Sequence, residues 1–514
     1  MTQSRLRWLT VLLGLMLGLP PGMARAEALY DALSSFDRTM ATFNPLGTYV
    51  RKPIERLSPR LTFKGYLREA IDVLVQPHEK VGYRNQDFRF LQLQTLLEIE
   101  SAYHIASGLD LNSLVHAMYD GAYDWQSSQG LYADRYDRSV KLYDSAEQVL
   151  RELYVSYRAP SFDLLVGKQQ VSWGKMDGQF IDIINAMNRS ESAQLESEDY
   201  EWRRLPMWMV NTTFHFGSNS LQFLYIFDFE SDRQALPGSP WYSPQIPPPG
   251  IDRRRPTRTP RGGDFKAHEY GVRFDRSMGA LTYGFIYAYL WDRNPVDHVV
   301  GTDLVNGQSA LRLEGEHARL HHFGATADYA TTLAQMPMVG VLPVVFRVEA
   351  LWTKGVVFID YSKQAAARLG VNTDATVEHD TLRAAVAAEF GLPANTTLIL
   401  QGAYYQTFGW DRSLGYGFGG GISDEWTLIP LVYLSRPFAF SRDRLSAQLT
   451  VFPMLSGPVH VWQGVKTKLR VTYKISQFIN TQLVYNSYDG GDSTDFYGQY
   501  DKWDNFGWEL NYEF

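Results

Sequence analysis

The sequence predicts an all-β chain: a transmembrane antiparallel β-barrel of the outer membrane, with about 18 strands and 16 as the alternative count. Three observations predict it. Segments of about ten residues that alternate apolar and polar recur from residue 61 to the carboxy-terminus. Short turn-like links alternate with long ones between them. The chain also ends on an aromatic alternating strand, "NFGWELNYEF" at 505–514, with no polar tail after it.

The first residues predict export. Arg5 and Arg7 precede the short apolar run "LTVLLGLMLGL", and the small residues Ala24 and Ala26 follow it. That is the layout of a secretory signal peptide over residues 1–26. The run is too short to cross a bilayer as a helix, which takes about 20 residues. Residues 27–60 lack strand alternation and form an N-terminal periplasmic segment. "EALYDALSSFDRTMATF" there fits a short amphipathic helix, either a plug at the barrel mouth or a loosely held leader.

Composition narrows the function classes. Aromatics make up 14% of the chain, with 31 Tyr and 13 Trp, while mean hydropathy is −0.26. Aromatic enrichment with a hydrophilic average is what a wall between lipid and water requires. Cysteine is absent, which excludes disulfides, thiolate metal sites and cysteine nucleophiles. The net charge is −7, and no basic domain suggests a nucleic-acid partner.

The barrel is expected over 61–514. Its predicted strands are 61–75, 88–104, 109–123, 149–158, 162–173, 205–216, 220–229, 267–276 and 280–291. The second half adds 319–330, 343–353, 380–391, 395–408, 425–437, 443–454, 464–474, 478–488 and 505–514. Links such as "ASG" (106–108), "GSNS" (217–220) and "LPAN" (392–395) suit tight periplasmic turns. Links such as 124–148, 174–204 and 230–266 suit extracellular loops. Two links break the rhythm: 331–342 is long for a turn and 455–463 is short for a loop.

The faces follow from the period of two. Lys466, Lys468 and Arg470 share one face of their strand, and Arg347 with Glu349, and Arg383 with Glu389, repeat the pattern. The alternation assigns these residues, with Lys168, Gln170 and Glu509, to the lumen. Glu98 and Glu100 follow by the same rule. The aromatic run Tyr283, Phe285, Tyr287, Tyr289 and Trp291 offers an apolar solute path if some of it faces inward.

The stretch "LLVGKQQVSWGKMDGQFIDIINAMNR" (164–189) is the most distinctive. A strand ending in Gly-Lys-Gln-Gln-Val-Ser-Trp-Gly runs into an acidic loop with "INAMN". It resembles a proteobacterial outer-membrane family of unknown function with a "GRQxVxWG" strand and a "D…IN" loop. "LPMWMVNTTF" and "LQFLYIFDFESDRQALPGSPW" extend the resemblance to residue 241. It implies a barrel and no particular substrate. On its own residues, loop 175–204 holds the apolar tetrad Ile181, Asp182, Ile183 and Ile184 after Asp177. An apolar tetrad in a long loop predicts a segment folded into the lumen, or packed over its neighbours.

Other candidates carry less. "RRRPTRTPR" (253–261) reads as an electropositive funnel for anions or, preferred, as contact with lipopolysaccharide phosphates or a solvated loop. In "HARLHH", His317 and His321 would share a strand face about 13 Å apart, too far for one metal. "GYGFGGG" (415–421) reads as a loop tip. No nucleophile–base pair or phosphate loop is present, so neither an enzyme nor a cofactor or metal site is expected. The expected function is a channel or substrate-selective transporter for small solutes, hydrophobic or anionic. The alternative is a non-conducting scaffold of a cell-envelope assembly. Expected partners are outer-membrane lipid and lipopolysaccharide, a small-molecule solute, and the barrel-assembly machinery reading Trp508, Tyr512 and Phe514. The oligomeric state is not expressed in the sequence.

Overall fold

The structure is a computed structural model. It describes residues 43–75, 90–125, 141–143, 145–176, 181–189, 200–234, 241, 252–260, 263–336, 340–415, 423–459, 461–491, 495–501 and 503–514. The leader expected over 1–26, the helix expected over 27–43 save its last residue, Asp177 and most of "GYGFGGG" lie outside these residues.

Eighteen strands form the barrel wall. They are β1 (Leu61–Leu74), β2 (Phe90–Ala106), β3 (Leu109–Asp120), β4 (Leu150–Arg158), β5 (Phe162–Gln169) and β6 (Met207–Phe216). Next come β7 (Asn219–Ile226), β8 (Glu269–Met278), β9 (Leu281–Trp291), β10 (Arg319–Met336), β11 (Gly340–Asp360) and β12 (Thr376–Leu392). The last six are β13 (Thr396–Thr407), β14 (Trp426–Pro437), β15 (Leu445–Gly457), β16 (Trp462–Lys474), β17 (Ile479–Asp489) and β18 (Asn505–Glu513). Each pairs antiparallel with its neighbour in sequence, and β18 returns to β1 through pairs such as Arg68↔Asn511 and Ala70↔Glu509. Closure leaves no unpaired wall edge.

The long link expected at 331–342 shortens to 337–339, because β10 and β11 run on as a hairpin past the alternating core. The short link stays short, at 458–461 between β15 and β16.

Burial follows the period of two. On β9, Phe285 and Tyr287 are exposed while Ile286, Ala288 and Leu290 are buried; on β12, Val386 is exposed between buried Ala385 and Ala387. The exposed apolar rows are the outer face, and the covered rows face the lumen. The aromatic run of β9 is therefore on the outside, so it lines no inner path.

The long loops add structure of their own. Arg253–Arg258 runs parallel to Gln308–Glu316, which pairs in turn with Val296–Val305. Asp252 ties this sheet to the helix Tyr361–Arg368 through Arg368, at 2.6 and 2.9 Å. At the periplasmic end, a helix over Lys52–Leu57 precedes β1. Leu46 N–H donates to Tyr512 Oη at 3.0 Å, and Tyr512 Oη donates to Asn44 Oδ1 at 2.8 Å. Tyr512 shares the outer row of β18 with exposed Phe506 and Trp508, so residues 44–46 lie on the outside of the closing seam. Phe514 is buried over Gly65, where a Cβ would come within 1.9 Å of its ring.

Candidate functional site: a lumen divided by an inserted loop

The β5–β6 loop leaves the wall immediately after Gln169. Gly167 prepares this departure: its φ is +140°, and a Cβ would sit 2.2 Å from the Leu153 carbonyl oxygen. Val171 N–H then donates to Asn185 Oδ1 at 2.8 Å, and Asn185 Nδ2 donates to the Leu205 carbonyl at 2.8 Å. One side chain thus joins the two limbs of the loop. Inner-wall amides continue the network: Trp173 Nε1 donates to Gln222, Gln222 to Asn211 and Asn211 to Gln169.

Ile181, Ile183 and Ile184 are buried in one cluster with Met207, Met209, Leu224, Ile286 and Leu351 of the inner wall. The tetrad is inside the barrel, against β6 to β11. Burial of such side chains contributes about 1.5–3 kcal/mol each. Polar contacts fix the same segment. Asp182 pairs with Arg204 at 2.6 Å. Arg293 donates to the Ile184 carbonyl at 2.7 Å and pairs with buried Glu269 at 3.0 Å. Met187 N–H donates to Asp232 at 2.8 Å, and Lys175 N–H to Glu349 at 2.7 Å.

The returning limb crosses to the opposite wall. Trp202 lies 5.0 Å from the Arg68 guanidinium and 5.4 Å from the Tyr66 ring of β1, and Arg151 donates to its carbonyl at 2.8 Å. Between the loop and strands β1–β3 and β16–β18 lies a cavity open to solvent. Its charged lining is Arg68, Arg203, Lys468 and Arg470 against Asp72, Asp120 and Glu509. Arg68 pairs with Glu509 at 2.9 Å. Tyr123 and Trp241 line the same cavity and pack into an apolar cluster with Tyr500 and Trp503.

The expected lumen residues divide into groups. Lys468, Arg470 and Glu509 line the cavity. Lys466 is fully buried one step above Lys468, 5.7 Å from the Tyr488 ring centroid. Arg347 and Glu389 form a 2.7 Å ion pair on the inner wall. Arg383 sits in the inner row, opposite Leu351 and Tyr405. Glu349 holds the loop. Gln170, past the end of β5, donates to Glu152 at 2.9 Å.

Lys168 requires a correction. Its register partners are Leu153 and Trp208, which continue the outer row of exposed Val155 and Val166. It stands at the rim, where Nζ donates to the carbonyls of Glu147 and Leu150 at 2.9 and 3.0 Å. Polarity assigned Lys168 to the lumen, but it shares the parity of outward Val166, and at the rim its ammonium reaches backbone carbonyls.

The basic run also reads differently in three dimensions. Arg254 pairs with Asp297 at 3.0 Å, and Arg255 and Arg258 pair with Glu314. Its charge is matched by neighbouring loops, so it forms no bare electropositive funnel. His317 precedes β10 and meets the Asp292 carbonyl, whereas His321 meets Tyr287 outside and His322 meets Thr353 inside. Among the described residues no three His, Asp or Glu side chains converge as a metal site. Outside the strands, burial and then a hydrogen bond that the protonated Glu230 carboxyl donates to Glu147 push Glu230 up to about 7.

Trp202, Arg203 and Asn188 were not anticipated. They lie in an irregular loop whose destination across the lumen has no local sequence period.

The closed 18-strand antiparallel wall, with long loops at one end, places the chain by fold among the solved outer-membrane barrels. The Acinetobacter baumannii protein OccAB2 shares this fold at 10% identity, over 89% of this chain and 98% of its own, with a TM-score of 0.51. OccAB4 of the same organism matches at 9% identity over 88% and 97%, with a TM-score of 0.49. Pseudomonas aeruginosa opdK matches at 10% identity over 88% and 98%, with a TM-score of 0.48. No curated protein sequence matches the chain. The chain belongs to the family described as "Protein of unknown function (DUF1302)", which matches residues 81–514.

Proposed function

We propose that this protein is an outer-membrane channel or substrate-selective transporter for small solutes, narrowed by its inserted loop and favouring anions along its polar half. The observation that carries this is the cavity beside the loop, where Arg68, Arg203, Lys468 and Arg470 face Asp72, Asp120 and Glu509. The described lining carries four cationic side chains against three carboxylates. Low-dielectric walls focus such a field and raise the local concentration of counter-ions. Guanidinium groups such as that of Arg470 match the geometry of a carboxylate, and Lys468 adds a point charge. Trp202 and Tyr123 supply apolar surface for the remainder of a solute.

On this reading, residues 1–26 direct export, the outer rows meet lipid, and the loops meet lipopolysaccharide. Trp508, Tyr512 and Phe514 form the strand end that the assembly machinery recognises. The non-conducting scaffold is the rival, since the loop fills much of the lumen. Planar-bilayer recording on refolded protein separates them. Stable single-channel steps with an anion-directed reversal potential are expected; silence in every preparation would sink the channel reading.

A further inference from the structure

The wall contains a seam where the hydrogen-bond ladder is interrupted. Pairing between β14 and β15 runs from Trp426↔Gly457 to Leu428↔Leu455 and resumes at Val432↔Val451. The register is the same on both sides, so no bulge explains the three missing pairs. The residues in the gap do. In that register Pro430 stands directly opposite Pro453. An opposed hydrogen-bonded pair exchanges two N–H···O bonds, and neither proline has an N–H to give. Losing both bonds also removes the bridges on either side. Roughly 14 Å of strand between Leu428 and Val432 is therefore held by side chains alone.

The gap lies in the apolar band, because the outward residues flanking Pro430, Leu428 and Val432, are exposed. Pro430 is also paired with Gly402 of β13, and a Cβ on Gly402 would meet nothing within 4 Å. The outer surface at the gap is thus a shallow notch. Its inner side is apolar: Ile429 and Leu431 alternate with the outward residues and are buried, as is Phe452. Ile429 packs with Met176 of the inserted loop, and Met454 lies against the same cluster.

We propose that the β14–β15 seam is a lateral gate, through which apolar solutes pass between the lumen and the membrane. Ile429, Leu431, Phe452 and Met454 plug it, and Met176 links it to the inserted loop. The proposal rests on the barrel lying in a membrane and does not require the axial pore to conduct ions.

The chain has no cysteine, which allows a clean cross-link. Ile429→Cys with Met454→Cys places two thiols at opposed inward positions and leaves both prolines in place. The probe is the apolar dye N-phenyl-1-naphthylamine, entering cells of a Gram-negative host that express the protein. The reduced variant should speed dye entry several-fold over host cells without the protein. Oxidation should abolish the gain and a reductant should restore it, while bilayer conductance stays unchanged. Pro430→Val with Pro453→Val, which returns both donors, should slow entry without any cross-link. Equal entry in oxidised and reduced cells, or no gain from the parent protein, overturns the gate. Loss of conductance with dye entry intact instead removes the pore reading and leaves the gate standing.

Discussion

Replacing Ile181 and Ile184 together by alanine tests whether the inserted loop sets the bore. Both side chains are fully buried against the inner wall. Each buried Ile→Ala change costs about 2–5 kcal/mol. The two share one cluster, so their sum of about 4–10 kcal/mol is not strictly additive. The loop's hydrogen bonds, such as Arg293 to the Ile184 carbonyl and Met187 to Asp232, contribute about 0.5–1.5 kcal/mol each. The apolar contacts are comparable with the loop's polar contacts taken together, so the double variant loosens it. The wall ladder is untouched, so heat-modifiable migration on gels should remain that of a folded barrel. Single-channel recording should then show larger conductance and stronger open-state noise. A folded variant with unchanged conductance and noise would refute the reasoning.

Arg68→Ala removes the 2.9 Å partner of Glu509 and one of the cavity's cations; the reversal potential in a salt gradient should move toward cations. An unchanged potential would place the selectivity elsewhere. Gly65→Leu drives a side chain into the space held by the Phe514 ring; folded barrel in the outer membrane should fall, and deletion of Phe514 should lower it likewise. Insertion at the parent level would show that this seating is dispensable. Glu230 has a raised folded value, about 7 against an ordinary 4.5, so the native state binds more protons across that window. Stability then falls as pH rises from 4.5 to 7. Glu230→Gln should flatten that slope in a thermal-unfolding series, and an identical slope would argue against the assignment.

Most of the wall was legible because its signal is local. In 380–391, Val386 and its outward neighbours alternate with Arg383 and Glu389 over a handful of residues, and the pleat turns that alternation directly into faces. Lys168 shows the limit of the rule. It shares the parity of outward Val166, and only the carbonyls of Glu147 and Leu150 at the rim make a lysine acceptable on that face. The arginines of 253–258 show another limit. Their partners Asp297 and Glu314 come from a separate loop, so no window of sequence contains both halves of the pairs.

The period and the residues able to face lipid or water were already set in the sequence, which left eighteen strands against sixteen, because side-chain direction in a strand is set by its immediate neighbours. Only the tertiary structure decided what occupies the lumen. Ile184 meets Arg293 109 positions away, and Arg68 meets Glu509 441 positions away. The opposition of Pro430 and Pro453 likewise exists only once register is set. Each is a contact between distant segments, brought together by closure of the barrel and fixed by burial rather than by local pattern.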